Sequence, residues 1–280
     1  MKMQYRLFIP LLLTAGCFAH KEAPDRLVSA RGIEEAEAAA AEVESVDLSG
    51  PGAAALPASL PAMPKLKVLY LRDGAFTNFS ALAGCAALET LDLGNVRLGA
   101  LPGEVLSLPA LRDLYLSGCG LAAFPEGLEG LPHLRYLNLD RNRISKLPDA
   151  LPPHLRWLRL NANQIAELPD GIGGIAGLER LYLRGNRLSA LPAGLARCSA
   201  ITDVDLAQNG LSEFPAVLAE LPSLRNLDLS GNTGITALPG DEVLGKMGAL
   251  RTLRLTGCPL SDDERARVRA ALHPQCAIIF

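Results

Sequence analysis

One pattern governs this 280-residue chain: the frame LxxLxLxx starts at Val43, Leu66, Leu88, Leu111, Leu134, Leu155, Leu178, Ile201, Leu224 and Leu250, at intervals of 21 to 26 residues. A period of this length is one supersecondary unit. Such a unit buries its apolar face only by stacking on its neighbours, so the pattern predicts a one-dimensional stack of coils rather than a globule.

The best copies are LRYLNLDRNRISKLP from Leu134, LRWLRLNANQIAELP from Leu155 and LERLYLRGNRLSALP from Leu178. In the last, Leu181 and Leu183 alternate with Arg180, Tyr182 and Arg184, the period of a half-buried strand. Three or four residues of strand cannot stand alone, and parallel pairing with the next coil must supply the hydrogen bonds. Asn142, Asn163, Asn186, Asn209 and Asn232 share one column just after the strand. There the chain turns inward, and a buried amide side chain can satisfy backbone groups on both sides; leaving such groups unpaired costs roughly 1–3 kcal/mol each. The same column holds Cys119 and Cys258, and Pro51, Gly74 and Val96 in the first three copies, which are expected to be less regular. Leu-Pro or Phe-Pro pairs recur further on, as at Leu101-Pro102 and Phe214-Pro215, where a fixed φ opens a short extended or 3-10 segment; Phe79-Ser80 departs from the pattern.

These residues resemble the leucine-rich-repeat family of the LxxLxLxxNxLxxLP type found in bacteria. The resemblance implies an α/β solenoid: a curved horseshoe with parallel strands on the concave face, short 3-10 or extended segments on the convex face, and a cap at each end. Ten repeats then occupy residues 43–260. Helix formers from Ile33 to Glu42 predict an N-terminal cap helix within 27–42, and Asp262 or Asp263 is the expected N-cap of a helix running to Leu272, before a final edge strand from Cys276 to Phe280. With no more than residues 261–280 after the last repeat, no catalytic domain of the kind some bacterial repeat effectors carry is expected.

The N-terminus has the layout of an export signal. Lys2 and Arg6 precede the apolar run Leu7 to Ala15, which is too short to span a bilayer of ~30 Å, and Thr14-Ala15-Gly16-Cys17 follows. It resembles a bacterial lipoprotein signal over 1–17, with Cys17 as the lipidated residue and 18–26 as a tether, although Thr14 stands where such signals more often have Leu. The expected location is extracytoplasmic, in the periplasm or at the outer membrane, with the membrane reached by the lipid anchor alone; secretion after cleavage near Ala19 is the alternative.

The chemistry of the chain argues for binding rather than catalysis. Net charge is −3 with 27 basic and 30 acidic residues, so no basic field favours nucleic acid. His20, His133, His154 and His273 have no Cys or His at ligand spacing, so neither a metal nor a cofactor is expected. Cys85, Cys119 and Cys198 read as small buried residues; Cys258 and Cys276 read either as a disulfide of the C-terminal cap or as two buried thiols.

Function therefore falls to the concave face. The repeats from Leu111 to Leu178 gather Tyr115, Tyr136, Trp157 and Tyr182 with Arg141, Arg159, Arg180 and Arg184. Tyr, Trp and Arg dominate binding hot spots, although aromatics also simply suit exposed strand positions. An acidic strip, Asp203, Asp205 and Asp228, lies beside them, either a weak cation site or a solvated balance to the arginines. The expected function is non-catalytic recognition of a protein partner, or a peptide or glycan, at the bacterial envelope; the alternative is a spacer with no dedicated ligand. Both Asn161 and the patch side chains are expected to point to solvent, so that truncating them spares stability.

Overall fold

The computed structural model describes residues 28–280. It is a single open sheet of twelve parallel strands, each paired with the next in sequence order. They are β1 (Ser29–Arg31), β2 (Ser45–Asp47), β3 (Val68–Tyr70), β4 (Thr90–Asp92), β5 (Asp113–Tyr115) and β6 (Tyr136–Asn138). The series continues with β7 (Trp157–Arg159), β8 (Arg180–Tyr182), β9 (Asp203–Asp205), β10 (Asn226–Asp228), β11 (Thr252–Arg254) and β12 (Ala277–Ile279). The ten sequence frames map onto β2 to β11 without a register slip: Trp157 pairs with Arg180, Leu158 with Leu181 and Arg159 with Tyr182, and so on along the array. The central residue of every strand from β1 to β11 points inward and is essentially buried, as at Leu137, Leu158 and Leu181, and Ile278 of the edge strand β12 is half-buried. The two flanking residues line the concave face.

The asparagine column forms the polar spine. Asn163 Nδ2 donates to the carbonyls of Leu139 (2.9 Å) and Leu160 (3.0 Å), and its Oδ1 accepts from the Ile144 amide (3.0 Å). Asn142, Asn186, Asn209 and Asn232 repeat the arrangement on the equivalent groups. Cys119 and Cys258 supply a reduced version, with one thiol donating to the carbonyl of Leu93 (3.2 Å) and the other to that of Leu229 (3.3 Å). Where the column reads Gly74 and Val96, apolar packing takes over: Phe76 lies against Gly74, where a Cβ would come within 2.2 Å of its ring, and Val96 is fully buried. The residue before each spine position from Gly74 onward is left-handed, whether glycine (Gly118, Gly185, Gly231, Gly257) or not (Asp73, Asn95, Arg141, Ala162, Gln208).

On the convex side, Pro102, Pro169, Pro192 and Pro215 each precede a five-residue 3-10 segment. Ser80 opens an equivalent segment without proline, its amide held by Asn78 Oδ1 (2.9 Å). The longest interval, Leu224 to Leu250, accommodates a short α-helix, α2 (Asp241–Gly245), whereas the shortest, Leu134 to Leu155, has no helical segment.

The ends differ from expectation. The cap helix anticipated over 27–42 is only α1 (Ile33–Ala38), and the chain before it is strand β1, which extends the sheet by burying Ala30 beside Val46. Gly32, at φ 88°, makes the corner between them. Ala39 to Glu42 cannot continue the helix because the chain must turn back to enter β2 at Ser45. At the other end Ser261, not Asp262 or Asp263, caps α3 (Asp262–Ala271) by accepting the Glu264 amide (3.1 Å). The edge strand is present as β12. Cys258 and Cys276 are both free thiols: Cys258 is committed to the spine, and Cys276 sits half-buried ahead of β12. Cys85, Cys119 and Cys198 are buried as expected. The anticipated signal over 1–17, Cys17 and the 18–26 tether lie outside the described residues. Among the described residues no helix is long and apolar enough to cross a membrane.

Candidate functional site

Parallel register is what assembles the site. Strands lie ~4.8 Å apart, so matching positions in consecutive coils touch. Tyr136 and Trp157 meet in this way, ring centroids 5.7 Å apart, and Tyr115, whose register partner is Asn138, reaches the Tyr136 ring diagonally at 4.7 Å, so the three rings form a ladder across β5, β6 and β7. The Arg180 guanidinium continues it, 4.1 Å above the Trp157 ring, and Arg159 lies 5.3 Å from the Tyr182 centroid. Six of the eight anticipated residues are thus one contiguous cluster. Arg141 and Arg184 are not part of it: both sit on the turn after the strand, exposed, with Arg141 in the left-handed conformation and Arg184 Nε directed to Gln208 Oε1 (3.4 Å).

The cluster is also more tightly packed than the sequence suggested. Tyr136 is only 8% exposed, and the Arg159 and Arg180 side chains retain about a quarter of their surface. Side-by-side contact buries these groups even though they face away from the core, so burial argues that their truncation costs stability rather than sparing it. Burial raises the pKa of Tyr115 and Tyr136 far above the usual phenol range, which keeps both hydroxyls protonated. Tyr182 is raised by burial and then by Asp203.

Asp140, which sequence reasoning missed, organises the centre. Its Oδ2 accepts from Arg159 Nε (2.9 Å) and lies 2.7 Å from the second guanidinium nitrogen, while its Oδ1 takes the Asn161 amide (2.7 Å). The position lies just after the strand, where alternation no longer tells which way a side chain points. Asn161 is likewise engaged, its Oδ1 accepting the Arg184 amide (2.8 Å), so it is not the free surface residue expected.

The acidic strip is divided. Asp203 is bonded to Asn226 (2.8 Å) and Thr202 (2.6 Å) and faces Arg180 at 3.7 Å. Asp205 and Asp228 each accept one amide two residues on. Burial, followed by the neighbouring Asp228 charge, raises the Asp205 pKa. Among the described residues no group of three or more His, Cys, Asp or Glu side chains is placed to hold a metal. Burial pushes the thiols of Cys85 and Cys198 up to about 11 and that of Cys119 up to about 12, which leaves them weak as nucleophiles.

A family model described as leucine rich repeat matches residues 86–144 and 176–233. No curated protein matches the chain. Among solved structures, a leucine-rich-repeat protein of Leptospira interrogans is similar at 18% identity and a TM-score of 0.52, over 85% of this chain and 90% of that one. The internalin InlF of Listeria monocytogenes is similar at 19% identity and a TM-score of 0.59, over 85% and 80%. The plant peptide hormone receptor RGFR1, solved in complex with RGF2, gives 21% identity and a TM-score of 0.63 over 83% of this chain and 39% of its own. At these identities the likeness is one of fold. Residues 86–144 and 176–233 are leucine-rich repeats by the family match, and the chain has the fold of a leucine-rich-repeat solenoid.

Proposed function

We propose that this chain is a non-catalytic binding protein that engages a protein partner through the centre of its concave face, at the bacterial envelope, where a lipid on Cys17 would hold it. Leucine-rich-repeat arrays generally serve as protein-binding scaffolds, and the observation that carries the reading here is the aromatic ladder with its stacked arginines. Rings and guanidinium planes already fixed by their neighbours lose little conformational freedom on binding, which is how a few residues come to dominate an interface. The spacer alternative draws on the same contacts, because a cluster that satisfies itself also stiffens the sheet.

Capture of envelope proteins by the soluble chain separates the two. Trp157→Ala with Arg180→Ala should weaken partner association by at least about 2 kcal/mol, while Asp47→Ala with Ser45→Ala at the far end of the face should leave it unchanged. Because the central pair is packed, its variant should also melt earlier, and affinity must be compared below the melting transition of both. Equal effects of the two double changes, or none from either, would favour the spacer. For the location, Cys17→Ser should move the chain out of the membrane fraction; an unmodified mature N-terminus at or beyond His20 contradicts the anchor.

A further inference from the structure

The column of residues immediately before the strands forms the lateral edge of the binding face. Its members are aligned by the main chain. The Glu89 carbonyl accepts the amides of Arg112 and Asp113 (2.8 and 3.0 Å), the Arg112 carbonyl those of Arg135 and Tyr136 (2.8 and 3.0 Å), and the Arg135 carbonyl those of Arg156 and Trp157 (2.8 and 3.0 Å). Side chains at this position in adjacent coils are therefore direct neighbours. At the start of the array the column alternates in sign, from Glu44 to Lys67 to Glu89, and Lys67 bonds Glu44 at 2.8 Å. Opposite charges on neighbouring strands stabilise a sheet, and like charges do the reverse.

Alternation fails twice, at Arg225 and Arg251 near the end of the array and, over a longer run, in its middle. Arg112, Arg135 and Arg156 follow one another on three consecutive coils before Glu179 restores the acidic sign. The outer two arginines have carboxylates to turn to, Arg112 to Glu89 (3.4 Å) and Arg156 to Glu179 (2.6 Å). Arg135 stands exposed between them with no carboxylate within ion-pair distance among the described residues. Continued alternation would put an acid there. The break coincides with the coils that carry Tyr136 and Trp157, each one residue beyond an arginine of the row.

We propose that the Arg112–Arg135–Arg156 row is the edge at which the binding face recognises an acidic segment of its protein partner, with Arg135 as the central anion contact. The proposal rests on the reading of the concave face as a binding surface and specifies the partner's chemistry. A guanidinium flanked by two others is electrostatically short of an anion, and a carboxylate offered there makes charge-assisted, bidentate hydrogen bonds while relieving the repulsion along the row. The row is three coils wide, roughly 10 Å between its outer members at the usual strand spacing, and is closed at both ends by glutamates. That suits a peptide segment with one or two carboxylates and is too narrow and too sharply bounded for a membrane surface.

The test uses the full chain and a short fluorescent oligoglutamate peptide, with an oligolysine peptide as its counterpart and vesicles with and without phosphatidylglycerol as a separate arm. The oligoglutamate peptide should bind and the oligolysine peptide should not. Arg135→Glu should weaken the acidic peptide at least about tenfold, because charge reversal sets a carboxylate against carboxylates. The same variant should melt at the wild-type temperature or above, because it restores alternation between Arg112 and Arg156. Arg135→Gln should fall between the two in affinity. Equal binding of both peptides, acidic binding indifferent to Arg135, or Arg135-dependent binding of anionic vesicles without peptide binding overturns the proposal. If Arg135→Glu leaves envelope-partner capture intact while Trp157→Ala with Arg180→Ala abolishes it, the concave-face reading stands and the arginine row fails. The opposite pattern keeps the row and removes the central cluster.

Discussion

The first coils and the middle coils share one backbone plan but fill the column behind the strands differently. From Asn142 to Asn232 an amide side chain bonds backbone groups on both flanks, whereas at Gly74 and Val96 the space is taken by the Phe76 ring and by Val96 itself. Both solutions keep the strands in register. The sheet is thus specified by inward apolar residues and main-chain pairing, and the asparagines secure the turn that follows each strand.

Three measurements press on this difference. The largest effect should come from Asn163→Leu, which strands the Ile144 amide and takes one of two amide donors from each of the Leu139 and Leu160 carbonyls, and should cost about 2–3 kcal/mol in urea unfolding. Val96→Asn, which puts the middle solution into the early coils, should change stability by less than about 1 kcal/mol in the same assay. Similar costs for both would mean that the two regions do not differ in what holds them.

Next in size is Arg159→Ala, which removes the guanidinium from a nearly buried Asp140 and should cost about 1–2 kcal/mol even though it lies on the concave face. Asp140→Asn with Arg159→Ala should recover part of that loss in thermal melts. No recovery would place the cost in the contact with Tyr182 instead.

The smallest effect is a slope in pH, opposite in sign at the two ends. Burial raises the pKa of Asp92 despite its 3.0 Å bond to Arg72, so the folded chain holds this proton more tightly than the unfolded one. The group therefore withdraws stability as pH rises from the ordinary aspartate value, about 3.9, through its higher folded value. Glu264 is lowered, chiefly by its hydrogen bonds to Arg267, and contributes stability above the ordinary glutamate value, about 4.3, that is lost as pH falls through its lower folded value. Melting temperatures taken across the acid range should show wild type losing ground to Asp92→Asn as pH rises and gaining on Glu264→Gln. Parallel slopes would rule out the assignment.

The register was legible from the sequence because period-two alternation and a fixed coil length leave no other way to bury Leu137, Leu158 and Leu181 together. The Tyr136–Trp157–Arg180 row followed from that register alone, whereas Tyr115 reaches Tyr136 diagonally, its own register partner being Asn138. What could not be read were features set by lateral contact or by chain ends. Strand β1 has only Ala30 to mark its inward face, too faint a signal beside the helix formers that follow. Tyr136 is buried by its neighbours' rings rather than by its place in the coil, and Asp140 takes its role from Arg159 on the next strand. Cys258 was available for a disulfide on composition, but its coil position gives it the work of an asparagine.

The left-handed column before the spine matters for how such a chain can change over generations. Arg141, Ala162 and Gln208 hold there a conformation in which a Cβ crowds the backbone. Glycine at any of them would relieve about 1 kcal/mol of strain, part of it returned as freedom of the unfolded chain. These positions are a latent source of robustness: drift on the strand face that costs stability has compensating single-residue changes close by, in the same coils and outside the ring ladder.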